Sequence, residues 1–417
     1  MDAQGKMIYI LKETNSWWKS GAYRVDKYFP RSVFSDIERF LKLRQIIALV
    51  GLRRTGKTTL MFKIIEQYIE RIPPENILYF SFDDFASIDI EDIIDSYNVI
   101  FPDMDLKKGR FLFCFDEIQK LVDWQDKIKR LYDMYPNIKI VVSGSESLFI
   151  RKGIKETLGG RIFEFRVAAL SFKEYLSFVS CEKYIEKPNL YGKEIVLAYR
   201  KFMKISGFPE LVGIDDDMVI HKYVKETIID KILFKDIPQI FGVRNPDVIG
   251  EILDLIIYSP GQIIDATKLA KEMALSRQVV SLYLDYLEKA FLVKKLYNFS
   301  RNLRKQKRSM KKYYPAITFP VVMENNFSFC FECSLVWQLD AQFFYRDAYQ
   351  NEVDTVLVGK NKSIIPIEIK TGNVDTKSVK YFMKKFKTKD AFVLTLKDEA
   401  VSDGITVTPF YKYLFRA

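Results

Sequence analysis

Short apolar runs alternate with helical patterns in the first part of the chain. The mostly apolar runs lie at 45–50, 76–82, 110–115 and 139–144. Between the first two, residues 56–72 carry apolar positions at helical spacing. Buried strands that alternate with helices are typical of a parallel sheet covered on both faces. We therefore predict an α/β fold for residues 1–182, in which an extended lead-in and a helix at 32–43 precede the first strand.

The pattern changes after residue 182. Residues 183–246 are helical apart from a Gly-Pro turn at 207–210, and we predict a helical lid or linker there. Residues 247–314 hold a compact helical trio and then a hairpin with a basic tip. Residues 315–417 carry strand-like runs, which predict a separate C-terminal α/β domain.

The composition is that of a folded chain with more than one domain. Its 417 residues are 48% hydrophobic, which excludes a disordered protein and suffices for several cores. No apolar run is long enough to span a bilayer. The N-terminus has no basic leader followed by an apolar stretch and a cleavage site. We therefore predict a cytoplasmic protein without a membrane partner.

The histidine and cysteine content of the chain argues against metal sites and catalysis that depend on these residues. The only histidine is His221, which argues against His-based metal sites and Ser-His-Asp catalysis. Cys330 and Cys333 have C-x-x-C spacing but no second ligand pair, so we interpret them as packing residues rather than a zinc site. Catalysis must then use carboxylates, lysines, hydroxyls and bound metal.

Residues 51–58 read GLRRTGKT, which fits G-x-x-x-x-G-K-[ST] between a predicted strand and a predicted helix. The glycines let the backbone wrap a phosphate, and the helix N-terminus adds positive potential. Lys57 is expected to reach the β- and γ-phosphates of ATP, and the Thr58 hydroxyl to bind Mg²⁺. The predicted ATP-binding residues are Gly51, Leu52, Arg53, Arg54, Thr55, Gly56, Lys57, Thr58 and Thr59.

Two acids end the apolar run at 110–115. Asp116 is expected to hold the Mg²⁺ shell, and Glu117 to orient the attacking water. Ser143 and Ser145, after the next strand, are candidates to sense the γ-phosphate or the water, with loop packing as the alternative. Arg161 follows two glycines and is a candidate to stabilise the transferring phosphate, with an ordinary surface arginine as the alternative.

Several motifs resemble, in order, the AAA-type (AAA+) ATPases that carry a C-terminal domain of unknown function. They are GLRRTGKTTL, SFDD, FDEIQKLVDWQDKIKRL, SGSESL, LGGRIFEF, ALSFKEYL, SGFPELV and YVKETIIDKILFKDI. The resemblance implies an AAA+ core with the sheet order of additional-strand ATPases. Such motors usually form rings with the ATP site at a subunit interface. A homo-oligomer in which Arg161 acts on a neighbouring subunit is compatible with that.

Residues 247–299 have the shape of a winged helix-turn-helix. Val280, Leu284 and Leu287 fall on one face of its last helix. The predicted DNA-contacting residues are Arg277, Gln278 and Ser281 in the groove, and Lys305, Lys307, Arg308, Lys311 and Lys312 on the backbone phosphates. The stretch 301–312 is basic and holds no acid. The alternative is a packing module that does not contact DNA.

The C-terminal segment resembles the PD-(D/E)XK nuclease superfamily, although Val353 stands where the strict motif has proline. Asp354 lies on one predicted strand, and Glu368 and Lys370 share one face of the next because side chains alternate along a strand. The resemblance implies metal ligation by Asp354, Glu368 and a helical glutamate, for which Glu324 is the candidate, with Lys370 stabilising developing charge. Some members of this fold are catalytically inactive. A sheet with alternating surface charges is the alternative.

Three functions are compatible with these features. The formal net charge of +11 favours a polyanionic partner. The leading hypothesis is a Mg²⁺-dependent ATPase that binds DNA, of branched or forked form, and couples ATP hydrolysis to DNA remodelling. The second is an ATP-gated, metal-dependent nuclease. The third is a nucleotide-dependent protein switch or scaffold.

Overall fold

The chain forms two compact units, Met1–Ala169 and Leu170–Ala417. The computed structural model describes residues 3–83, 85, 88–144, 157–359 and 361–416.

The first unit alternates strands and helices. Its strands are β1 (Ile46–Val50), β2 (Ile77–Ser81), β3 (Phe111–Asp116), β4 (Ile138–Gly144) and β5 (Ile162–Arg166). Its helices are α1 (Ala3–Thr14), α2 (Trp17–Ser20), α3 (Ser32–Leu41), α4 (Lys57–Ile69), α5 (Ile90–Ile100) and α6 (Trp124–Met134). The four strands and the helix at 56–72 that the hydrophobic pattern predicts are confirmed.

The described strands of this unit form one parallel sheet in the order β2-β3-β4-β1-β5. Strand β4 therefore lies between β1, which precedes residues 51–58, and β3, which ends in Asp116. The carboxyl ends of parallel strands share one edge of a sheet, so residues 51–58 and Asp116 lie at the same edge.

Alternation along β1 explains why helices cover both faces of this sheet. Ile46, Ala48 and Val50 contribute to one buried cluster, which also holds residues of α1, α5 and α6. Ile47 and Leu49 contribute to the other, with residues of α3 and α4. The predicted parallel sheet covered on both faces is confirmed.

The N-terminal segment differs from its prediction. We expected an extended lead-in, but Ala3–Thr14 is a helix. Met7 and Leu11 are spaced one turn apart and are both buried in the core cluster. The helix is stabilised by this tertiary burial, since its own apolar stripe is short.

The second unit begins with helices and continues into a large sheet. Its helices are α7 (Phe172–Phe178), α8 (Lys183–Glu186), α9 (Gly192–Lys204), α10 (Asp217–Val224), α11 (Ile237–Phe241), α12 (Asp247–Tyr258), α13 (Ala266–Glu272), α14 (Arg277–Lys289), α15 (Leu303–Arg308), α16 (Pro320–Asn325), α17 (Phe327–Gln338), α18 (Lys377–Phe386) and α19 (Phe410–Arg416). Its strands are β6 (Gln262–Ile263), β7 (Val293–Asn298), β8 (Lys311–Pro315), β9 (Phe343–Arg346), β10 (Glu352–Val358), β11 (Ile364–Ile369), β12 (Ala391–Thr395), β13 (Ala400–Ser402) and β14 (Ile405–Pro409).

The described strands of this unit form one mixed sheet in the order β13-β14-β12-β11-β10-β9-β7-β8-β6. Strands β7 and β8 pair as an antiparallel hairpin, and β7 also pairs in parallel with β9 through Tyr297 and Phe343. The boundary that we predict between residues 314 and 315 therefore falls inside one sheet rather than between two sheets.

The region 247–315 has the element order helix, strand, helix, helix, hairpin. On α14, Val280, Leu284 and Leu287 are buried, as their spacing predicts. The hairpin tip contains α15, which the sequence pattern did not indicate. The Asn302 side chain caps α15 by accepting hydrogen bonds from the backbone N–H groups of Arg304 and Lys305.

None of the helices in the described ranges is both long enough and apolar enough to cross a bilayer.

Candidate functional site

The loop between β1 and α4 is shaped by two glycines. A methyl group at Gly51 would collide with the backbone oxygen of Val167, so only glycine fits there. Gly56 has φ 92°, a left-handed conformation that disfavours other residues, and helix α4 starts directly after it at Lys57. The first-turn N–H groups of α4 have no partners within the helix and provide an anion-binding end.

Lys57 lies across the mouth of this loop. Its ammonium donates hydrogen bonds to the carbonyl oxygens of Gly51 at 3.1 Å and Leu52 at 2.8 Å. The Thr55 hydroxyl donates to the same Leu52 oxygen at 2.9 Å. The ammonium is therefore held at the place where the backbone turns, close to the N-terminus of α4.

The carboxylate of Asp116 is fixed by donors from helix α4, from strands β2 and β4, and from the residue that follows β3. Its Oδ2 accepts from the hydroxyls of Thr58 at 2.7 Å and Tyr79 at 3.3 Å. Its Oδ1 accepts from the backbone N–H of Glu117 at 3.1 Å and from the Ser143 hydroxyl. Burial and the nearby Asp116 carboxylate raise the pKa of Tyr79, so its hydroxyl stays a donor. Tyr79 carries no sequence signal, since it reads as one more aromatic residue of a buried strand.

Glu117 occupies a left-handed conformation, with φ 51° and ψ 41°. Such a conformation is unfavourable for a residue other than glycine and is concentrated at functional sites. The Glu117 backbone N–H is anchored by Asp116, and the Gln119 side-chain amide donates to the Glu117 carboxylate. The strained residue is thus held at the end of β3 with its side chain only partly buried.

Arg31 is a residue of this site that sequence reasoning missed. It immediately precedes α3, and its side chain is 8% exposed. One guanidinium nitrogen donates to the Thr55 oxygen at 2.8 Å and the other to the Ala168 oxygen at 2.7 Å. Arg31 thus connects the loop at 51–58 to the segment that follows β5. The sequence holds no motif that connects these positions.

Three further predicted residues have different outcomes. Ser143 is fully buried and holds Asp116, so its position fits orientation of that carboxylate rather than contact with nucleotide. Ser145 lies outside the described residues. Arg161 lies at the amino edge of the sheet, because its oxygen accepts from Ile46 N–H at the start of β1, whereas residues 51–58 follow the end of β1. Its side chain pairs with Asp133 at 3.1 Å.

A groove of about 790 Å³ lies between α14 and the β7–β8 hairpin. We call it the α14 groove; it is lined by 263–267, 277–278, 281–282, 284–285, 295, 308–311 and 313. The predicted residues Arg277, Gln278 and Ser281 are exposed along it. Its two acids are already engaged, because Asp265 caps α13 and Asp285 pairs with Lys289 at 2.8 Å.

Positive charge is concentrated beside the α14 groove. Lys305, Lys307 and Arg308 are exposed on α15. Burial lowers the pKa of Lys311, and the nearby positive charges of Lys295 and Arg277 lower it further. The positive charge of this surface comes mainly from the exposed side chains of α15 and from Arg277.

Lys312 does not belong to this surface, and its predicted contact with phosphates is wrong. Its side chain is 5% exposed. The ammonium pairs with Glu352 at 2.5 Å and Glu332 at 3.4 Å. Alternation along β8 places Lys312 on the same inward face as the fully buried Tyr314, whereas Lys311 points the other way.

A carboxylate cluster surrounds the Lys312 ammonium. Glu332, on α17, accepts a hydrogen bond from the Tyr314 hydroxyl at 2.5 Å. The predicted helical glutamate, Glu324, lies exposed near the end of α16 instead. The prediction is wrong because two helices follow each other here, and the second one, not the first, packs its glutamate against the sheet.

The predicted residues of strands β10 and β11 do come together. The Asp354 carboxylate accepts from the backbone N–H of Ile369 at 2.8 Å, which ties it to the neighbouring strand. Glu368 and Lys370 form an ion pair at 2.7 Å, which confirms that they share one strand face. Burial and the Asp354 carboxylate raise the pKa of Glu368 to about 8, and the Glu368 Oε2 atom is buried without a hydrogen-bond partner.

The cluster does not fit a divalent metal ion. Lys312 and Lys370 already bring positive charge to it, and Arg346 pairs with Glu352 at 3.1 Å. These three cations pair with Glu332, Glu352 and Glu368 and so compensate most of the carboxylate charge of the cluster. Among the described residues, no group of three or more His, Cys, Asp or Glu side chains is placed to hold a metal.

Comparison with known protein families divides the chain into three parts. Residues 43–176 match the family described as the AAA domain. Residues 196–316 and 333–413 match two families described as domains of unknown function, DUF8612 and DUF4143. The first match spans the loop at 51–58, Asp116 and Glu117. It supports an AAA-type P-loop ATPase domain in the first unit, and with it nucleotide-dependent activity.

Relatives cover most of the chain at low identity. An uncharacterized protein of Methanocaldococcus jannaschii is 27% identical over 407 residues, covering 91% of this chain and 90% of its own length. A second protein of that organism is 24% identical over 387 residues, covering 84% and 80%. Among solved structures, Aeropyrum pernix Orc1 in complex with DNA is 12% identical, with a TM-score of 0.34 over 72% of this chain and 93% of that one. A TM-score this low supports no functional conclusion.

Proposed function

We propose that this protein is a Mg²⁺-dependent ATPase that binds DNA and couples ATP hydrolysis to DNA remodelling. The observation that carries the ATPase part is the 2.7 Å hydrogen bond between the Thr58 hydroxyl and the Asp116 carboxylate. It joins the phosphate-binding loop to the acidic end of β3, so that the two halves of an ATP site meet at one edge of the sheet.

Phosphate binding in this site is an exchange of partners for Lys57. The ammonium leaves the Gly51 and Leu52 carbonyls and takes the β- and γ-phosphate oxygens, which are charged and therefore stronger acceptors. The first turn of α4 supplies N–H donors to the same phosphates. Arg31 keeps the loop in the shape that these contacts need.

The Thr58 and Asp116 oxygens fit Mg²⁺, which binds proteins through one or two such ligands and completes its shell with water and substrate phosphates. Bound there, Mg²⁺ would supply positive charge to the β- and γ-phosphate oxygens. Tyr79 and Ser143 keep the Asp116 carboxylate oriented through their hydrogen bonds.

Glu117 is the residue for orienting the attacking water. Its backbone N–H donates to the Asp116 carboxylate, and its backbone is held in the left-handed conformation at the end of β3. The Gln119 amide restrains the carboxylate. A carboxylate held rigidly in this way accepts a water proton without reorganising during the reaction.

The α14 groove is the proposed duplex DNA site. The element order of residues 247–315 resembles that of a winged helix. In such folds the second helix of the helix-turn-helix enters the major groove, and the corresponding helix here is α14, on which Arg277, Gln278 and Ser281 line the groove. The exposed basic residues of α15 are placed to contact phosphates, so binding should be strongly salt-dependent.

ATP turnover of the full chain tests the proposal, measured with and without single-stranded, duplex, forked and four-way-junction DNA in Mg²⁺. We expect at least one DNA form to raise turnover and to remain uncut on gels of the same reactions. Lys57→Ala should abolish turnover in every reaction, because the phosphate charge is left uncompensated.

The other outcomes point to the two alternatives. Cutting that survives Lys57→Ala but not Asp354→Asn would establish the nuclease hypothesis, which at present lacks a fitting metal site. Turnover with neither DNA binding nor stimulation would leave the nucleotide-dependent switch or scaffold.

A further inference from the structure

A second groove lies on the other side of the α15 segment. It has a volume of about 880 Å³ and runs between residues 298–302, the turn 345–349 and the end of α18 at 385–386. We call it the β9 groove. It shares only residues 308–310 with the α14 groove, so the same short segment forms a wall of both.

The β9 groove is positively charged. Arg301, Lys305, Arg308 and Lys385 line it and are exposed. Its acid, Asp347, has a side chain that is only 9% exposed. A groove with exposed cations and a recessed carboxylate attracts a polyanion.

The Asp347 carboxylate stabilises the turn in which it lies. It accepts hydrogen bonds from the backbone N–H groups of Tyr349 at 2.9 Å and Asn351 at 3.0 Å, and from the Asn351 side-chain amide. It also lies 4.0 Å from the Lys385 ammonium. The acid therefore builds the wall of the groove, and the Lys385 ammonium offsets part of its negative charge.

An aromatic ring stands at the tip of this turn. Tyr349 is 85% exposed, although the hydrogen bond to Asp347 fixes its backbone. Exposing a tyrosine ring this far forgoes the burial that normally stabilises it. A free aromatic face beside a row of cations is the combination that binds unpaired bases, because bases stack on the ring while the cations follow the phosphates.

We propose that the β9 groove binds single-stranded DNA, with Tyr349 stacking on a base and with Arg301, Lys305 and Lys385 contacting the phosphates. A duplex keeps its base faces stacked inside the helix and presents none to Tyr349. Together with duplex binding in the α14 groove, which rests on the proposed function, this arrangement selects a DNA with a duplex arm and a single-stranded arm that meet at residues 308–310.

Fluorescence anisotropy on the full chain tests this, with a labelled oligo-dT strand, a duplex of the same length and a fork that joins the two. Tyr349→Ala should weaken binding of the single strand about tenfold and leave duplex binding within about twofold, since stacking contributes only to unpaired bases. Tyr349→Phe should retain binding because the ring remains. The matched control is Tyr9→Ala, which removes a ring that is 58% exposed in the first unit.

Arg277→Ala separates this inference from the proposed function. It should weaken duplex binding and spare the single strand. If wild type binds the single strand through Tyr349 but does not bind the duplex, the β9 groove stands and the duplex contact fails. If Tyr349→Ala and Tyr9→Ala bind the single strand equally well, the β9 groove is not its site and the inference is overturned. Failure of the wild-type protein to bind the single strand would overturn it as well.

Discussion

At the scale of single residues, the proposed ATP site depends on side chains that hold other side chains. Asp116 receives four hydrogen bonds, and only the one from Thr58 comes from the P-loop. Glu117 is held in a conformation that costs on the order of 1 kcal/mol or more. Strain of this kind persists only where the surrounding bonds impose it, so the position of the Glu117 carboxylate is a property of the folded site.

Replacing Glu117 by Gln should slow ATP turnover by about 100-fold, because the amide cannot accept the water proton. Nucleotide affinity should change little, since Glu117 is not expected to contact the phosphates. Single-turnover hydrolysis and equilibrium binding of a labelled nucleotide separate the two effects. The control is Glu70→Gln, an exposed position after α4. Normal turnover by Glu117→Gln would show that another group orients the water.

Arg31→Ala should weaken ATP binding by about tenfold, because two charge-assisted hydrogen bonds to backbone oxygens are removed and the loop relaxes. Arg31 is a positioning residue, so KM should rise more than kcat falls. Arg31→Lys should not rescue binding, since a single ammonium does not span the Thr55 and Ala168 oxygens as a guanidinium does. The control is Arg39→Ala on α3, whose side chain is 76% exposed. Equal KM values for the Arg31→Ala and Arg39→Ala variants would show that Arg31 does not position the loop for ATP.

At the scale of secondary-structure elements, the alternation of side chains along β8 gives two adjacent lysines different roles. Lys311 points to the basic surface and Lys312 points into the carboxylate cluster. Burial by itself lowers the pKa of Lys312, but the Glu332 and Asp354 carboxylates outweigh it and raise that pKa. The Lys312 ammonium is therefore the counter-ion of the Glu332 and Glu352 carboxylates.

Lys312→Met should lower the free energy of unfolding by about 3 kcal/mol or more, because buried carboxylates lose their partner. The double variant Lys312→Met, Glu332→Gln should recover part of the loss, because it removes the Glu332 charge together with its partner, whereas Glu352 still pairs with Arg346. Urea denaturation of both, beside Lys311→Met as the control, measures the difference. If Lys312→Met is as stable as Lys311→Met, the ammonium does not compensate the cluster.

The basic helix α15 should account for much of the salt dependence of duplex binding. Replacing Lys307, Arg308 and Lys311 by Ala should reduce the slope of log affinity against log salt by about 0.9 for each phosphate that the protein no longer neutralises. The measurement is anisotropy at several salt concentrations. Lys107→Ala with Lys108→Ala, at exposed positions of the first unit, should leave the slope unchanged. An unchanged slope in the α15 variant would remove this surface from the DNA site.

At the scale of the whole molecule, the two edges of the first sheet have different tasks. Residues 51–58 lie at the carboxyl edge, and Arg161 lies at the amino edge beside the start of β1. Arg161 is therefore too far from its own phosphate-binding loop to act there, and a catalytic role requires a second copy of the chain. The ATP site at a subunit interface therefore stays a prediction.

Arg161→Ala should retain ATP binding and lose turnover if it acts on a neighbouring subunit. Mixing equal amounts of the Arg161→Ala and Lys57→Ala variants should then restore about a quarter of the wild-type rate, since random assembly pairs an intact loop with an intact arginine at that fraction of head-to-tail interfaces. Full turnover by Arg161→Ala alone would make it a surface arginine paired with Asp133.

Much of the fold could be predicted because it follows from local pattern. Short stretches of chain are enough to predict four buried strands, the P-loop between β1 and α4 and the buried face of α14. The signals are an apolar run, the helical spacing of apolar residues and the spacing of two glycines. The shared strand face of Glu368 and Lys370 follows from the period of two alone.

What only the tertiary structure decided are the contacts between distant stretches. Arg31 meets Ala168, Tyr79 meets Asp116, and Lys312 meets Glu332 and Glu352. The helix at Ala3–Thr14 likewise exists because Met7 and Leu11 find a core to fill. A sequence read along the chain determines which face of an element is apolar and which motif binds phosphate. It does not determine which charged or hydroxyl side chains meet across the fold, because that depends on packing free energies shared among residues far apart in the chain.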